Sequence, residues 1–237
     1  RRMRALINAG YLGGPPVHME SIWCYDLGDS SYARAILGDR QHWLRKLPGQ
    51  LLQNNISHGI AHLAEFLPGG SPEVTCQGFV SPLLRSIGEN IVDELRVLIV
   101  DGDQTAYFTF SSRMRPSQRE LRIFGPENGL IMDEDQQTLI KLSGSRYKSY
   151  AENFLPPLSF ARQYIGNWAH NMRLFLQNDF HSDASKKYLF EKFYDSILNG
   201  KSPPISYREI LLTTRIMEII FAQLQIKNAR FAFSSES

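Results

Sequence analysis

The middle of the chain carries apolar residues at every second position, and this alternation constrains the fold more than any other feature. It runs through 93–100 and 104–112, and Asp101-Gly102 between the two stretches predicts a tight hairpin turn. Further strands are predicted by the same kind of pattern over 119–124, 129–133 and 137–142. Strands that follow one another as hairpins form an antiparallel sheet, which we therefore expect here.

Apolar residues at helical spacing occur before and after these strands in the sequence. Leu51 to Leu67 has apolar residues three or four positions apart and stops at Pro68-Gly69-Gly70, which predicts a helix. After the strands, helices are predicted over 158–177, 184–199 and 206–225. Nearer the start, 16–27 is expected to form a strand and 39–50 a loop. Strands followed by helices predict an α+β fold: an open, mostly antiparallel β-sheet with helices packed on one face.

Charge and composition narrow the class of partner. The chain has 26 Lys plus Arg against 24 Asp plus Glu, and a formal net charge of +2 is too small to predict binding to nucleic acid. Charged residues interrupt the apolar stretch 205–224, and no signal-peptide pattern is present, so no membrane association is predicted. The two cysteines, Cys24 and Cys76, are too few for a disulfide framework and suit a reducing compartment. We expect a cytoplasmic protein.

Motifs that hold common cofactors or activate nucleophiles are missing from the sequence. It contains no G-x-G-x-x-G, no G-x-x-x-x-G-K-[ST], no G-x-S-x-G and no C-x-x-C. We therefore expect no cofactor to bind to this chain alone.

The strongest candidate for chemistry is a row of polar side chains on the predicted helix 51–67. Asn54, His58 and His62 are four residues apart and project from nearly the same side of the helix. Such a row can relay protons, because histidine titrates near neutral pH and a neighbouring group fixes its tautomer. It can also supply two metal ligands, although Gly59 stands where a metalloprotease has its glutamate and only Glu65 lies one turn further on. A third interpretation is structural, with both histidines packed at the border of the apolar face.

Four parts of the chain, in a fixed order, resemble one enzyme family. They are 42–52 (HWLRKLPGQLL), 54–58 (NNISH), 122–131 (RIFGPENGLI), and 197–204 with 209–216 (ILNGKSPP and EILLTTRI). On these stretches the chain resembles the C-terminal domain of the Gfo/Idh/MocA family, which includes glucose–fructose oxidoreductase and inositol dehydrogenase. The resemblance implies a dihydrodipicolinate-reductase-like domain that shapes a substrate pocket. It also implies a homodimer or tetramer formed through the uncovered face of the sheet.

Complete enzymes of that family also have an N-terminal Rossmann domain, and the resemblance implies that it is missing from this chain. NAD or NADP would be bound mainly by that missing domain. Three parts are expected on this basis: 1–15 as the connection from the missing domain, 16–226 as the substrate-binding and dimerisation domain, and 227–237 as a C-terminal tail.

The resemblance also assigns roles to individual residues. His58 matches the histidine that helps to shuttle the proton of a sugar or polyol hydroxyl, while the cofactor takes or gives the hydride. Asn54 stands where the family usually has an aspartate, and an amide can orient His58 but cannot stabilise an imidazolium as a carboxylate does. The substrate-binding side chains expected around this pair are His42, Trp43, Lys46, Asn55 and His62.

These inferences leave three candidate functions. The first is the substrate-binding and oligomerisation domain of an NAD(P)-dependent oxidoreductase that acts on a sugar or polyol hydroxyl. In that case the isolated chain is inactive, because it lacks the hydride carrier. The second is a non-catalytic binding or assembly module of the same fold, which Asn54 favours. The third is a metal-dependent hydrolase that uses His58 and His62.

Overall fold

A computed structural model of the chain describes residues 2–26, 38–39, 41–144, 147–177 and 184–234. The helices are α1 (Arg2–Asn8), α2 (Gln50–Ala64), α3 (Pro82–Ser86), α4 (Ala151–Leu176), α5 (Ala184–Asn199) and α6 (Tyr207–Ser234), and a 3₁₀ helix spans Trp43–Lys46. The strands are β1 (His18–Cys24), β2 (Glu73–Phe79), β3 (Glu94–Asp101), β4 (Gln104–Ser111), β5 (Arg119–Phe124), β6 (Asn128–Asp133) and β7 (Thr138–Ser143).

The described strands form one seven-stranded sheet in the order β2-β3-β4-β1-β5-β6-β7. The hairpins predicted from alternation are present: β3 with β4, and β5 with β6, which pairs in turn with β7. Strand β1 lies between β4 and β5, parallel to β4 and antiparallel to β5. The predicted α+β class and the mostly antiparallel, open sheet are therefore confirmed.

Several element boundaries differ from those predicted. The expected loop 39–50 contains the 3₁₀ helix, which His42 caps by accepting a hydrogen bond from the backbone N–H of Leu44. The predicted helix 158–177 begins earlier, at Ala151, and contains Pro156 and Pro157. Proline lacks an N–H but has a helical φ, so two prolines near the start remove backbone hydrogen bonds without ending the helix. The predicted strand end at 27 lies outside the described residues. Of the predicted C-terminal tail 227–237, residues 227–234 belong instead to α6, because the helix continues past 226, and 235–237 lie outside the described residues.

One face of the sheet packs against α2 and α6 to form the core. The side chains of Leu95, Val97 and Ile99 on β3 are at most 2 % exposed, as are those of alternate residues on β4. Helix α2 comes close to the sheet at Gly59, where an added Cβ would lie 2.3 Å from Cε2 of Phe108. Glycine at this position therefore sets the distance between α2 and the sheet.

Both edges of the sheet are capped by amide side chains from helices. On β2, Gln223 of α6 accepts from the N–H of Cys76 (3.0 Å) and donates to the carbonyl of Val74 (2.6 Å). On β7, Asn167 of α4 accepts from the N–H of Leu139 (3.2 Å) and donates to its carbonyl (2.9 Å). Exposed edges template pairing with other strands, so these amides protect the sheet. They also place α4 along an edge rather than over a face.

The opposite face, which we call the open sheet face, is not covered by any helix among the described residues. It carries His18, Glu20 and Ile22 of β1 together with Tyr107 of β4, which is half exposed, and Arg122 of β5. A shallow groove of about 500 Å³ runs across it. Within the described ranges, none of the helices has both the length and the apolar character that a membrane span requires.

Candidate functional site

The end of strand β1 brings a tryptophan against the predicted histidine row. Side chains alternate along a strand, so Trp23 points to the same side as Met19 and Ser21, toward α2. The ring of His58 stacks on that of Trp23, with centroids 5.4 Å apart and planes 22° apart. His62 meets the same indole more nearly edge-on, at 6.2 Å and 62°. Trp23 is therefore a shared partner that fixes the planes of both imidazoles.

A carboxylate from the turn after β6 contacts the second histidine. Nε2 of His62 lies 3.3 Å from Oε1 of Glu134, and both side chains are about 30 % exposed. A neighbouring carboxylate favours a proton on the nitrogen that faces it. In neutral His62 this leaves Nδ1 as the acceptor.

A cation, which is held by a second carboxylate outside the cluster, completes this cluster. The guanidinium carbon of Arg119, on β5, lies 5.7 Å from the centroid of the Trp23 ring. Its Nε donates to Oδ1 of Asp135 at 2.7 Å, which holds the guanidinium in place. We call Trp23, His58, His62, Arg119 and Glu134 the histidine cluster.

The remaining predicted site residues divide into two groups. Asn54 is exposed, one helical turn before His58. Asn55 is buried, and its amide donates to the carbonyl of Leu51 at 2.9 Å, so this side chain already has a partner within α2. The side chains of Asn54 and Asn55 thus lie on different sides of α2, because consecutive helical residues face different directions.

The residues predicted before α2 lie on the 3₁₀ helix and at its cap. The rings of His42 and Trp43 are 5.6 Å apart, and Trp43 remains 56 % exposed. Lys46 is exposed at the end of the same turn. A solvent-facing tryptophan with a lysine one turn away offers an apolar surface and a positive charge to a ligand.

Sequence reasoning missed three members of the histidine cluster. Trp23 belonged to a correctly predicted strand, but its contact with His58 depends on how α2 lies across the sheet. Glu134 and Arg119 are far from α2 in sequence and reach it only through the order of the strands. No motif in the sequence links these residues, so only the folded chain identifies them.

Two groups near the cluster have raised pKa values. Glu65, the nearest candidate for a third metal ligand, forms an ion pair with Arg4, and this hydrogen bond raises the pKa of the guanidinium. Burial raises the pKa of the Cys24 thiol, which follows Trp23 on β1. Among the residues that the structure describes, no three His, Cys, Asp or Glu side chains are placed to hold a metal ion.

The usual sequence motif for a dinucleotide is not found in the chain. A pyrophosphate is usually bound where a strand turns into a helix through G-x-G-x-x-G, and the sequence has no such turn.

Comparison with solved structures finds the same fold in several proteins. The chain is similar to a protein assigned as an NADPH-dependent oxidoreductase from Desulfitobacterium hafniense (17 % identity, TM-score 0.63), covering 96 % of this chain and 59 % of that one. It is similar to the WlbA dehydrogenase from Bordetella pertussis, solved with NADH and UDP-GlcNAcA (8 % identity, TM-score 0.59), covering 94 % of this chain and 58 % of that one. It is also similar to the UDP-N-acetylglucosamine 3-dehydrogenase GnnA from Acidithiobacillus ferrooxidans (13 % identity, TM-score 0.53), covering 92 % of this chain and 56 % of that one.

These similarities show the fold, and the chain spans somewhat more than half the length of each of these three proteins. No protein-family model and no curated protein sequence matches the chain. The structure thus establishes an α+β fold that is also found over part of each of these three proteins.

Proposed function

We propose that residues 16–226 form the substrate-binding domain of an NAD(P)-dependent oxidoreductase that acts on a sugar or polyol hydroxyl. The observation that carries this proposal is the stacking of His58 on Trp23, beside the contact between His62 and Glu134, on a fold shared with dehydrogenases. Residues 1–15 would connect this domain to one that binds the nucleotide. That arrangement is consistent with the coverage of a little over half of each dehydrogenase.

In this proposal the chain's own residues bind the substrate and move its proton. A ring nitrogen of His58 accepts the proton of the reacting hydroxyl on oxidation and returns it on reduction. Trp23 keeps the imidazole in one plane, so that little reorientation is needed when the substrate arrives. When it is bound, the nicotinamide cofactor exchanges the hydride. Trp43 and Lys46 would contact the remainder of the substrate.

The nature of the substrate follows from the similar structures only as a proposal. GnnA acts on UDP-N-acetylglucosamine, and the WlbA structure holds UDP-GlcNAcA. We therefore propose that a sugar nucleotide be tested beside free sugars and polyols. The cationic Lys46 suits a phosphorylated ligand better than a neutral polyol.

Substitution of His58 in the complete enzyme tests the proposal. We expect His58→Ala to lower kcat by about 10²–10⁴-fold, because a positioned acid–base group contributes rate enhancement of that order. Binding of NADH, measured by fluorescence titration, should not change. The matched control is His170→Ala, which removes an exposed imidazole on α4. Turnover by His58→Ala at the rate of His170→Ala would refute the role of His58.

A non-catalytic module of the same fold is the second candidate, and Asn54 favours it because it cannot stabilise an imidazolium as a carboxylate does. Asn54→Asp, with the nucleotide domain present, should raise sugar-dependent reduction of NAD if the fold has kept the remaining catalytic groups. An antibody to this chain provides an independent measurement. Detection of a protein of about 350 residues in the source cells supports the enzyme, and detection only at 27.1 kDa supports the module.

We also propose that the open sheet face forms a dimer. Its partly exposed apolar side chains, Ile22, Leu98 and Tyr107, lie beside the ion pairs of Arg122 with Glu20 (3.6 Å) and Glu120 (2.5 Å). Tyr107 and Arg122 are residue types that are enriched at interfaces between subunits.

A further inference from the structure

Helix α4 carries an apolar stripe that faces away from the sheet. Its large members are Phe154, Leu158, Ile165, Trp168, Met172 and Phe175, which are 41–70 % exposed. With Ala161 between the second and third of these, the spacing alternates between four and three residues over three heptads. This is the repeat by which one helix packs against another helix.

Contacts on the other side of α4 fix the direction of the stripe. Gln163, Asn167 and Asn171, four residues apart, bond to the backbone of β7 and of the turn before it. Residues at this spacing share one side of a helix, and at about 100° per residue Ile165 lies about 160° and Trp168 about 100° around the helix from Asn167. The stripe therefore cannot turn inward without breaking the amide contacts that cap the sheet edge.

The exposed area of the stripe is larger than a monomer normally leaves uncovered. With about 200 Å² for each large side chain, the six residues expose on the order of 700 Å². The largest apolar patch of a typical monomer is about 300–600 Å², and a stable dimer buries about 800 Å² per partner. Leu155 and Leu176, also exposed, extend the same surface. The area is thus close to what a stable dimer buries on one subunit.

The area of the stripe points to a second copy of the same helix as the occupant, and little like charge opposes it. Of the residues that flank the stripe, Arg162 is charged, whereas Tyr164, Ala169 and Asn171 are neutral. In antiparallel order the two helix dipoles oppose each other, whereas in parallel order their like-charged ends would lie together.

We propose that α4 packs against α4 of a second copy of this chain, in antiparallel order, through the apolar stripe. This interface is separate from the open sheet face and does not depend on the dehydrogenase assignment. Because one subunit then has two different self-complementary surfaces, the chain with both interfaces intact forms an assembly larger than a dimer, which is a closed tetramer when the two two-fold axes cross at right angles.

Sedimentation of the chain at micromolar concentration tests this proposal with two charge substitutions. Ile165→Glu places a carboxylate in the centre of the stripe and should raise the dissociation constant of the α4 interface at least about 30-fold, leaving dimers held by the sheet. Tyr107→Glu should leave dimers held by α4, and the double variant should sediment as a 27.1 kDa monomer. The matched control is Ile87→Glu, the same change at a residue that is also about half exposed but lies far from α4 in sequence. Circular dichroism and urea unfolding of each variant show whether it is folded.

The outcomes separate the two interfaces. Loss of mass in Tyr107→Glu but not in Ile165→Glu would overturn the α4 inference and keep the sheet-face dimer. The reverse result would support α4 and remove the sheet-face proposal, whereas a monomeric wild type would overturn both. Binding of a monomeric chain to vesicles of phosphatidylcholine and phosphatidylglycerol, lost in Ile165→Glu, would assign the stripe to a membrane surface instead. When the Phe154→Cys and Phe175→Cys variants are mixed and oxidised, a disulfide should form between one copy of each, because antiparallel order brings opposite ends of α4 together. A disulfide between two copies of the same variant would overturn the antiparallel order.

Discussion

Replacement of Gly59 by alanine should destabilise the fold although it improves the helix. In an exposed helix interior, alanine is more stable than glycine by about 0.5–1 kcal/mol. At Gly59, however, the new Cβ would lie 2.3 Å from Cε2 of Phe108 and 3.1 Å from Oγ of Ser21, in a core where Phe108 is fully buried. Overpacking of this kind costs about 1–3 kcal/mol, so we expect a net loss of about 1–2 kcal/mol.

Urea unfolding measures this loss, and α4 provides the matched control. Gly166 is also in a helix, but an added Cβ there meets nothing within 4 Å, so Gly166→Ala should raise stability by about 0.5–1 kcal/mol. At an ordinary denaturant dependence of about 1–3 kcal/mol per molar urea, the two midpoints should move in opposite directions by several tenths of a molar. Gly59→Ala with a midpoint equal to that of Gly166→Ala would show that α2 does not approach the sheet as described. Phe108→Leu added to Gly59→Ala should recover part of the loss, because the two residues touch.

Two other predictions concern the edge of the sheet and a buried thiol. Asn167→Ala should lower the free energy of unfolding by about 2–3 kcal/mol, because it leaves the buried N–H and carbonyl of Leu139 without partners. The control Asn171→Ala removes one exposed hydrogen bond and should lower it by less than about 1 kcal/mol. Equal unfolding midpoints for the two variants would contradict the capping role of Asn167. Since burial raises the pKa of Cys24, the folded chain holds this proton more tightly than the unfolded chain, and the associated stability is lost as the pH rises from the ordinary thiol pKa of about 8.5 through the folded pKa. Urea unfolding from about pH 8 to 10 should therefore show a smaller fall in stability for Cys24→Ala than for the wild type, and identical slopes would contradict the shift.

Local patterns in the sequence determined the elements and the class of the fold. Alternation gave the hairpin of β3 and β4, and Gly102, with a positive φ of 61°, lies in its turn. The helix predicted over 184–199 has those bounds in the structure. These features depend on residues that are close in sequence, so periodicity and turn residues are sufficient to predict them. The row Asn54, His58 and His62 was visible for the same reason.

Only the tertiary structure determines which residues surround the row Asn54, His58 and His62, and where α4 lies. Strand β1 enters the sheet between β4 and β5, about 80 to 100 residues further along the chain, and this places Trp23 against His58 and Arg119 near the same indole. Helix α4 lies on an edge because its amides satisfy the backbone of β7, which leaves its apolar stripe facing outward. Such pairings are chosen by burial and by hydrogen bonds between distant segments, and a sequence pattern shows which face of a segment is apolar but not what that face will meet.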